Sequence, residues 1–355
     1  MVFDYIEGAA GNGFGEANNG RVLQELRLKT SVLVNVEQRS LDVGVLGHHA
    51  KTPFGVTPMG MCNLSSPDAD ILLAKLAAKY HTPLGVSTVA STPLEKMIEV
   101  AEGYAWFQFY FSGDRTVVKS LVKRAEVAVY ETLIVTLDVP EVGKRPKELR
   151  RGFKMPFRIG PKQFVDFALH PRWSLTTLAF GKPEMANFGG EFGHFDRTES
   201  RAGADWEVLK KIRDEWKGNL VVKGILDPED AVRLKREGVD AIQISSHGGR
   251  QFESVVPPIL ALPAIREVVG QSFPLFYDSG IRSGEDVLKA YALGANFVFV
   301  GRPVLYAIAA GGQQGLNQLW QAFSEEASIG LAQMGLTDML SLNEEKIVTR
   351  DAGNI

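Results

Sequence analysis

The chain has 355 residues, of which 45% are hydrophobic, and its 39 basic and 42 acidic side chains leave a net charge of −3. That length allows two average domains or one large α/β barrel, and the hydrophobic fraction is enough for a substantial core. The nearly balanced charge gives no support for nucleic-acid binding. The lone cysteine, Cys62, excludes an internal disulfide, and its position after an apolar run predicts a packed thiol.

The first residues show neither the basic nor the apolar part of a secretory signal, and no run of about 18 apolar residues could span a membrane. We therefore expect a cytoplasmic protein that at most attaches to the inner face of a membrane.

Eight short runs rich in Val, Ile, Leu and Phe are typical of strands that are covered on both faces. They lie at residues 53–57, 83–89, 105–111, 133–139, 220–225, 241–246, 275–280 and 297–301. Helical spacing predicts helices between them, among others at 69–80, 116–128, 228–237 and 284–293. Asp227 and Ser283 are the expected N-caps of the last two. This alternation predicts one (β/α)₈ TIM barrel over residues 1–355.

The alternative, an open doubly wound sheet, would place a phosphate-binding glycine turn after its first strand. The glycine cluster between Gly8 and Gly15 follows no predicted strand and opens no apolar helix, so we interpret it as a turn.

Residues 153–201 form a long insertion between predicted strands four and five. Its first part mixes bulky apolar side chains, such as Phe164, Trp173 and Leu178, with basic ones. Such a mixture suits a membrane interface or a subunit contact, and a lid with its own small core is an equal alternative. We expect peripheral membrane contact, if any, through residues 153–188.

Polar residues end most of the predicted strands, and in a TIM barrel these positions carry the active site. Gly280 with Arg282, and Gly301 with Arg302, follow strands seven and eight, where barrels commonly bind phosphate. Ser87, Gln108, Thr136 and Lys223 supply the donors and acceptors that a flat heteroaromatic ring needs, and Lys223 could stabilise negative charge on it.

Of six histidines, His247 alone ends a predicted strand. No metal-binding motif is present, so we interpret His247 as a proton carrier that Asp138 orients. Arg145 and Arg250 flank this region, and two guanidinium groups suggest a carboxylate substrate. A base beside a carboxylate clamp, facing a phosphate-anchored ring, fits oxidation of a 2-hydroxy acid by flavin mononucleotide.

The motifs VKGI at 222–225, SSHGGRQ at 245–251, DSGIR at 278–282 and GRP at 301–303 resemble those of the FMN-dependent 2-hydroxy acid dehydrogenases and oxidases. This family includes glycolate oxidase, L-lactate dehydrogenase and (S)-mandelate dehydrogenase, and the resemblance covers essentially the whole chain. It implies that His247 is the catalytic base, with Asp138 as its acidic partner. It implies substrate contacts at Tyr5, Tyr110, Arg145 and Arg250. It also implies that the protein is a homotetramer. The FMN site that it implies is formed by Pro58, Met59, Gly60, Ser87, Gln108, Thr136, Lys223, Ser245, Asp278, Ser279, Gly280, Ile281, Arg282, Gly301 and Arg302.

The chain departs from the family at Ser246, where relatives usually have asparagine. It starts only four residues before Tyr5, so either the start is truncated or the N-terminal lead of its relatives is absent. Val89 replaces a bulky tryptophan of glycolate oxidase, which predicts a roomier pocket. Gly60 and the insertion at 164–188 resemble the membrane-associated mandelate dehydrogenases. These features favour a dehydrogenase for a bulky 2-hydroxy acid, such as an aromatic one. The main hypothesis is that its electrons pass to a quinone or similar acceptor. The alternatives are an oxidase that forms hydrogen peroxide, an FMN barrel used for isomerisation, and a non-catalytic ligand-binding barrel.

Overall fold

Eight parallel strands close into a barrel in the computed structural model, which describes residues 2–111, 115–151, 160–181, 183–188 and 200–348. The strands are β1 (Phe54–Met59), β2 (Leu84–Ser87), β3 (Ala105–Tyr110), β4 (Thr132–Thr136), β5 (Asn219–Ile225), β6 (Ala241–Ile244), β7 (Leu275–Tyr277) and β8 (Phe297–Val300). Consecutive strands are neighbours, and β8 closes the ring on β1 in the register Val298 opposite Phe54. The predicted TIM barrel is confirmed, and each predicted run overlaps one of these strands.

Helices surround the barrel and cover its mouth. They are α1 (Val2–Glu7), α2 (Phe14–Glu25), α3 (Ala69–Tyr80), α4 (Leu94–Val100), α5 (Arg115–Val127), α6 (Pro146–Arg151), α7 (Pro161–Ala168), α8 (Pro171–Phe180), α9 (Trp206–Glu215), α10 (Pro228–Arg236), α11 (Pro258–Val269), α12 (Gly284–Ala292) and α13 (Arg302–Gln333). Short antiparallel pairs join Arg27–Leu28 to Ile347–Val348 and Val43–Val45 to His48–Ala50.

The predicted N-caps form as expected. The Asp227 carboxylate accepts hydrogen bonds from the backbone N–H groups of Glu229 and Asp230 at the start of α10. The Ser283 hydroxyl accepts one from Asp286 N at the start of α12. Both satisfy N–H groups that the first turn of a helix leaves without partners.

Aromatic rings fill the interior of the barrel. Trp106 of β3 lies 5.6 Å from both Phe276 of β7 and Phe299 of β8, measured between ring centroids. Because β3 and β7 stand on opposite sides of the ring of strands, these side chains must point inward. The barrel is therefore a packed core, and any ligand site lies above this layer, at the carboxyl ends of the strands.

The long connection between β4 and β5 is only partly described, and residues 152–159, 182 and 189–199 lie outside the described ranges. Its helices α7 and α8 pack on each other through Phe167 and Trp173, whose centroids are 5.1 Å apart, and Trp173 Nε1 donates to Leu64 O at 2.8 Å. The buried Asn187 anchors the end of the segment by donating to Ser87 O and Thr88 O. The connection is thus fastened to the loops after β1 and β2.

Candidate active site

The predicted base and its partner meet at the barrel mouth. His247 follows β6 and Asp138 follows β4, and His247 Nδ1 lies 2.9 Å from Asp138 Oδ1. Gly224 of β5 permits this approach, because a Cβ there would lie 2.6 Å from Asp138 Cβ, and its φ of +98° suits glycine. His247 itself has a φ of +55°, and its backbone N–H donates to Ser245 Oγ at 3.0 Å.

The electrostatic environment favours the neutral form of His247. Burial lowers the pKa of His247, Asp138 opposes that decrease, and the cations Lys223 and Arg250 add to it. Asp138 Oδ1 is the acceptor for the imidazole, which leaves Nε2 as the nitrogen able to take a proton from a ligand.

The two predicted carboxylate-binding arginines share a counter-ion that the sequence did not reveal. Glu148 Oε1, on α6, lies 3.2 Å from Arg145 Nη1 and 3.3 Å from Arg250 Nη2. Arg250 also donates to Ile6 O and Gly8 O, and its guanidinium lies 5.6 Å from the centroid of the Tyr5 ring. Burial and the neighbouring Arg145 lower the pKa of Arg250 to about 9, which still leaves it charged at neutral pH. The helices α1 and α6 therefore hold this pair of guanidinium groups in place.

Tyr110 lies between the base and a third arginine. Its ring centroid is 6.4 Å from that of His247, and the Arg201 guanidinium carbon lies 5.3 Å from it. Burial and the nearby Asp138 carboxylate raise the pKa of Tyr110 to about 12, so its hydroxyl stays protonated. Arg201 ends the predicted insertion and was missed as a site residue, because the sequence offers no sign that the chain returns to the barrel mouth there.

A buried ionic network occupies the centre of the mouth. Lys223 Nζ lies 2.9 Å from Asp278 Oδ2 and donates to Ser245 Oγ. The same carboxylate accepts hydrogen bonds from Thr57, Gln243, Ser245 and Ser279. Although burial opposes its charge, the pKa of Asp278 is lowered because Lys223 and these donors stabilise the carboxylate. Asp278 therefore supplies a buried anionic partner for Lys223.

The donors and acceptors expected for a flat ring line the same mouth. Gln108 Nε2 donates to Thr136 Oγ1 at 2.9 Å, while Gln108 Oε1 is buried and, within the described residues, has no hydrogen-bond partner. An orphaned buried carbonyl requires a donor from a ligand or water, and a flavin ring carries one N–H between two carbonyl groups. Ser87 is buried at the end of β2. Pro58, Met59 and Gly60 end β1 and follow it, and a Cβ added at Gly60 would lie 2.4 Å from Val89 Cγ2.

The ends of β7 and β8 hold the predicted phosphate-binding residues. Ser279 Oγ accepts hydrogen bonds from Ser246 N and Gly248 N, which ties this end to the segment that contains His247. The residues that follow are the buried Ile281, the two glycines Gly280 and Gly301, and the arginines Arg282 and Arg302. Arg302 donates to the carbonyl groups of Ile6, Gly8 and Gly248.

Helix α2, which was not predicted, packs behind this region. Asn19 Nδ2 donates to Ser246 Oγ at 2.9 Å, so Ser246 receives an amide from another helix. Glu16 lies between Arg282 and Arg302. Asn19 and Glu16 lie more than 200 residues from these partners in the sequence. The sequence therefore did not predict these contacts.

Comparison with known proteins agrees with this geometry. The family model described as FMN-dependent dehydrogenase matches residues 1–349. The chain belongs to the FMN-dependent dehydrogenase family. It is therefore an oxidoreductase with FMN as its cofactor. The donors and acceptors of FMN fit the side chains at the barrel mouth, namely the buried Gln108 carbonyl, Thr136, Lys223, Arg282 and Arg302.

Two curated relatives cover nearly the whole chain. The (S)-mandelate dehydrogenase of Pseudomonas putida is 35% identical over 361 residues, covering 100% of this chain and 91% of that protein. The L-lactate dehydrogenase of Pseudomonas syringae pv. syringae (strain B728a) is 32% identical, covering 98% and 94%.

Solved structures of this family superpose closely. A monotopic membrane protein (S)-mandelate dehydrogenase matches with a TM-score of 0.93 at 35% identity, covering 99% of this chain and 95% of that one. A mandelate oxidase matches with a TM-score of 0.83 at 31% identity, covering 98% and 94%.

Proposed function

We propose that this FMN-dependent dehydrogenase oxidises an (S)-2-hydroxy acid to the 2-oxo acid, with His247 as the base. The observation that carries the proposal is the convergence of the His247–Asp138 pair with the Arg145 and Arg250 guanidinium groups at one barrel mouth. Relatives that act on mandelate and lactate, both 2-hydroxy acids, support the substrate class.

The arginines orient the substrate. A guanidinium group binds a carboxylate through two parallel hydrogen bonds, so Arg250 and Arg145 fix the acid end of the substrate. The Tyr110 hydroxyl, which its raised pKa keeps protonated, is a further donor to the substrate, and Tyr5 lies against Arg250. This binding holds the hydroxyl-bearing carbon at a fixed position near the imidazole.

His247 Nε2 then takes a proton from the substrate. Asp138 accepts the hydrogen bond from Nδ1–H, which fixes the tautomer and stabilises the imidazolium that forms. When bound, FMN supplies the acceptor for the two electrons that leave the substrate. Lys223 and Gln108 would hold the ring, and Arg282 with Arg302 would hold the phosphate.

A quinone or similar compound is the proposed electron acceptor, since the relatives of highest identity above are named as dehydrogenases. Oxygen is the second candidate, because a mandelate oxidase superposes almost as well. Turnover with (S)-mandelate and (S)-lactate in air, and without oxygen but with a soluble quinone, separates the two. We expect quinone reduction with little peroxide, and rapid peroxide formation would favour the oxidase.

The helices α7 and α8 are the proposed membrane-contacting segment. Their apolar side chains Phe164, Leu175, Leu178 and Phe180 are each 66% to 81% exposed, which is costly in water for so short a segment. Within the described ranges, no helix combines the length and apolar character needed to cross a bilayer. A contact between subunits of a tetramer is the alternative use of the same surface.

Replacing Leu178 and Phe180 by aspartate tests this segment. We expect the wild-type chain to sediment with anionic phospholipid vesicles and the double variant to stay in the supernatant, with unchanged turnover of a soluble acceptor. Val127→Asp and Val129→Asp are the matched control, because Val127 ends α5, Val129 follows it, and both are exposed apolar positions. A shift in oligomeric state without any change in sedimentation would support the subunit contact instead.

A further inference from the structure

A carboxylate of the chain lies between the two arginines that end β7 and β8. Glu16, in the first turn of α2, has its Oε1 atom 3.0 Å from Arg282 Nη2 and 3.3 Å from Arg302 Nη1. Both guanidinium groups therefore donate to the same oxygen. The side chains of Glu16 and Arg302 are 27% and 10% exposed, so solvent screens this cluster only in part.

Glu16 neutralises a cluster that would otherwise repel itself. Burial lowers the pKa of Arg302, the neighbouring Arg282 adds to the decrease, and Glu16 opposes it. Without an anion at this place, two positive charges would stand side by side at the end of the barrel. The carboxylate has the charge sign and the acceptor geometry of a phosphate oxygen.

The two arginines differ in how freely they can meet another anion. Arg302 donates to Ile6 O, Gly8 O and Gly248 O in addition to Glu16, and these bonds connect α1 to the segment that contains His247. Arg282 is 41% exposed and, apart from Glu16, donates to its neighbour Ile281 O. An incoming phosphate can therefore reach Arg282 from solvent, and it competes there with Glu16.

We propose that Glu16 is a tethered competitor of the FMN phosphate, which fills the arginine pair in the flavin-free protein and sets the affinity for the cofactor. The proposal rests on the proposed function, because it takes Arg282 and Arg302 as the phosphate end of the site. It assigns to α2 a part in cofactor exchange, distinct from the contact of Asn19 with Ser246.

The test compares FMN with riboflavin, which lacks the phosphate, on Glu16→Gln. Flavin is removed from the full-length protein by dialysis, and binding is followed by quenching of flavin fluorescence. We expect Glu16→Gln to bind FMN about tenfold more tightly, the size typical of one charge-assisted hydrogen bond, with riboflavin affinity unchanged. The flavin-free variant should melt at a lower temperature than the wild type, because its arginines lose their counter-ion.

Glu25→Gln is the matched control, since Glu25 lies on the same helix and pairs with Arg21 at the surface. It should bind both flavins as the wild type does. Glu16→Asp, which keeps the charge, should retain near wild-type FMN affinity and covers the case in which Glu16→Gln fails to fold.

Unchanged or weaker FMN binding by Glu16→Gln would overturn the proposal, and equal loss of FMN and riboflavin affinity would show a purely structural role. Failure of the proposed site has a different signature, because wild-type protein would then bind FMN no better than riboflavin and Arg282→Gln would leave FMN affinity unchanged.

Discussion

His247 Nδ1 lies 2.9 Å from Asp138 Oδ1, and the two side chains are 18% and 14% exposed. The other carboxylate oxygen, Asp138 Oδ2, is buried and lacks a hydrogen-bond partner within the described residues. A carboxylate held this way gains most when the imidazole becomes charged, because the low surrounding polarity strengthens their attraction. The pair is thus arranged to stabilise the state that follows proton transfer.

Asp138→Asn keeps the shape of this pair and removes its charge. We expect turnover to fall by about 10²- to 10⁴-fold, because the imidazolium loses its counter-ion and the tautomer is no longer fixed. Bound flavin, measured by absorbance, should be unchanged. Turnover within a factor of two of wild type would show that Asp138 does not assist the base.

The pH dependence follows from the lowered pKa of His247. Activity requires neutral imidazole, so the acid limb of kcat/KM should lie below the ordinary histidine value of 6.5. His247 binds a proton more readily in the unfolded chain than in the folded one. Its contribution to the free energy of unfolding therefore decreases as the pH falls from 6.5 through the folded-state pKa of His247. An acid limb above 6.5 in the wild type would contradict this assignment. In Asp138→Asn the limb should move lower still, because Asp138 opposes the decrease.

Arg250→Lys tests the carboxylate clamp. Lysine keeps the positive charge but cannot form two parallel bonds, so KM for the acid should rise by about tenfold to a hundredfold while kcat changes less. The corresponding 2-hydroxy amide is the control, because it lacks the carboxylate and should be an equally poor substrate of both proteins. Equal KM values for the acid would place its carboxylate elsewhere.

Gly60 and Val89 test the packing beside the proposed ring site. In Gly60→Ala the new methyl group would lie 2.4 Å from Val89 Cγ2, so the loop after β1 must shift. We expect weaker FMN binding and lower turnover, and recovery of much of both in the double variant with Val89→Ala. Additive losses in this double-mutant cycle would show that the two side chains do not interact.

The sequence predicted the barrel well because apolar runs report strands that are buried on both faces. Predicted ends were less accurate: the run to residue 280 continues three residues beyond Tyr277, the last residue of β7. Ser279 has a φ of +88°, which belongs to a turn, and nothing in its side chain signals that.

The residues behind the site were harder to predict. Helix α2 buries Gly15 and Asn19 besides Val22 and Leu23, so its apolar spacing is weak. Glu148 pairs with Arg145, three residues away, and with Arg250, which lies on a different loop. Only the fold brings Arg250 close to Glu148. The site residues suggested by strand ends and family motifs do gather at one mouth, while their counter-ions depend on long-range packing.

Anaerobic reduction of the flavin tests the central claim most directly. The purified, FMN-loaded protein should bleach when (S)-mandelate or (S)-lactate is added without oxygen, and the 2-oxo acid should appear in equal amount. His247→Gln should retain its flavin and bleach about 10²- to 10⁴-fold more slowly. Absence of bleaching with every 2-hydroxy acid tried, or bleaching of His247→Gln at the wild-type rate, would contradict the account.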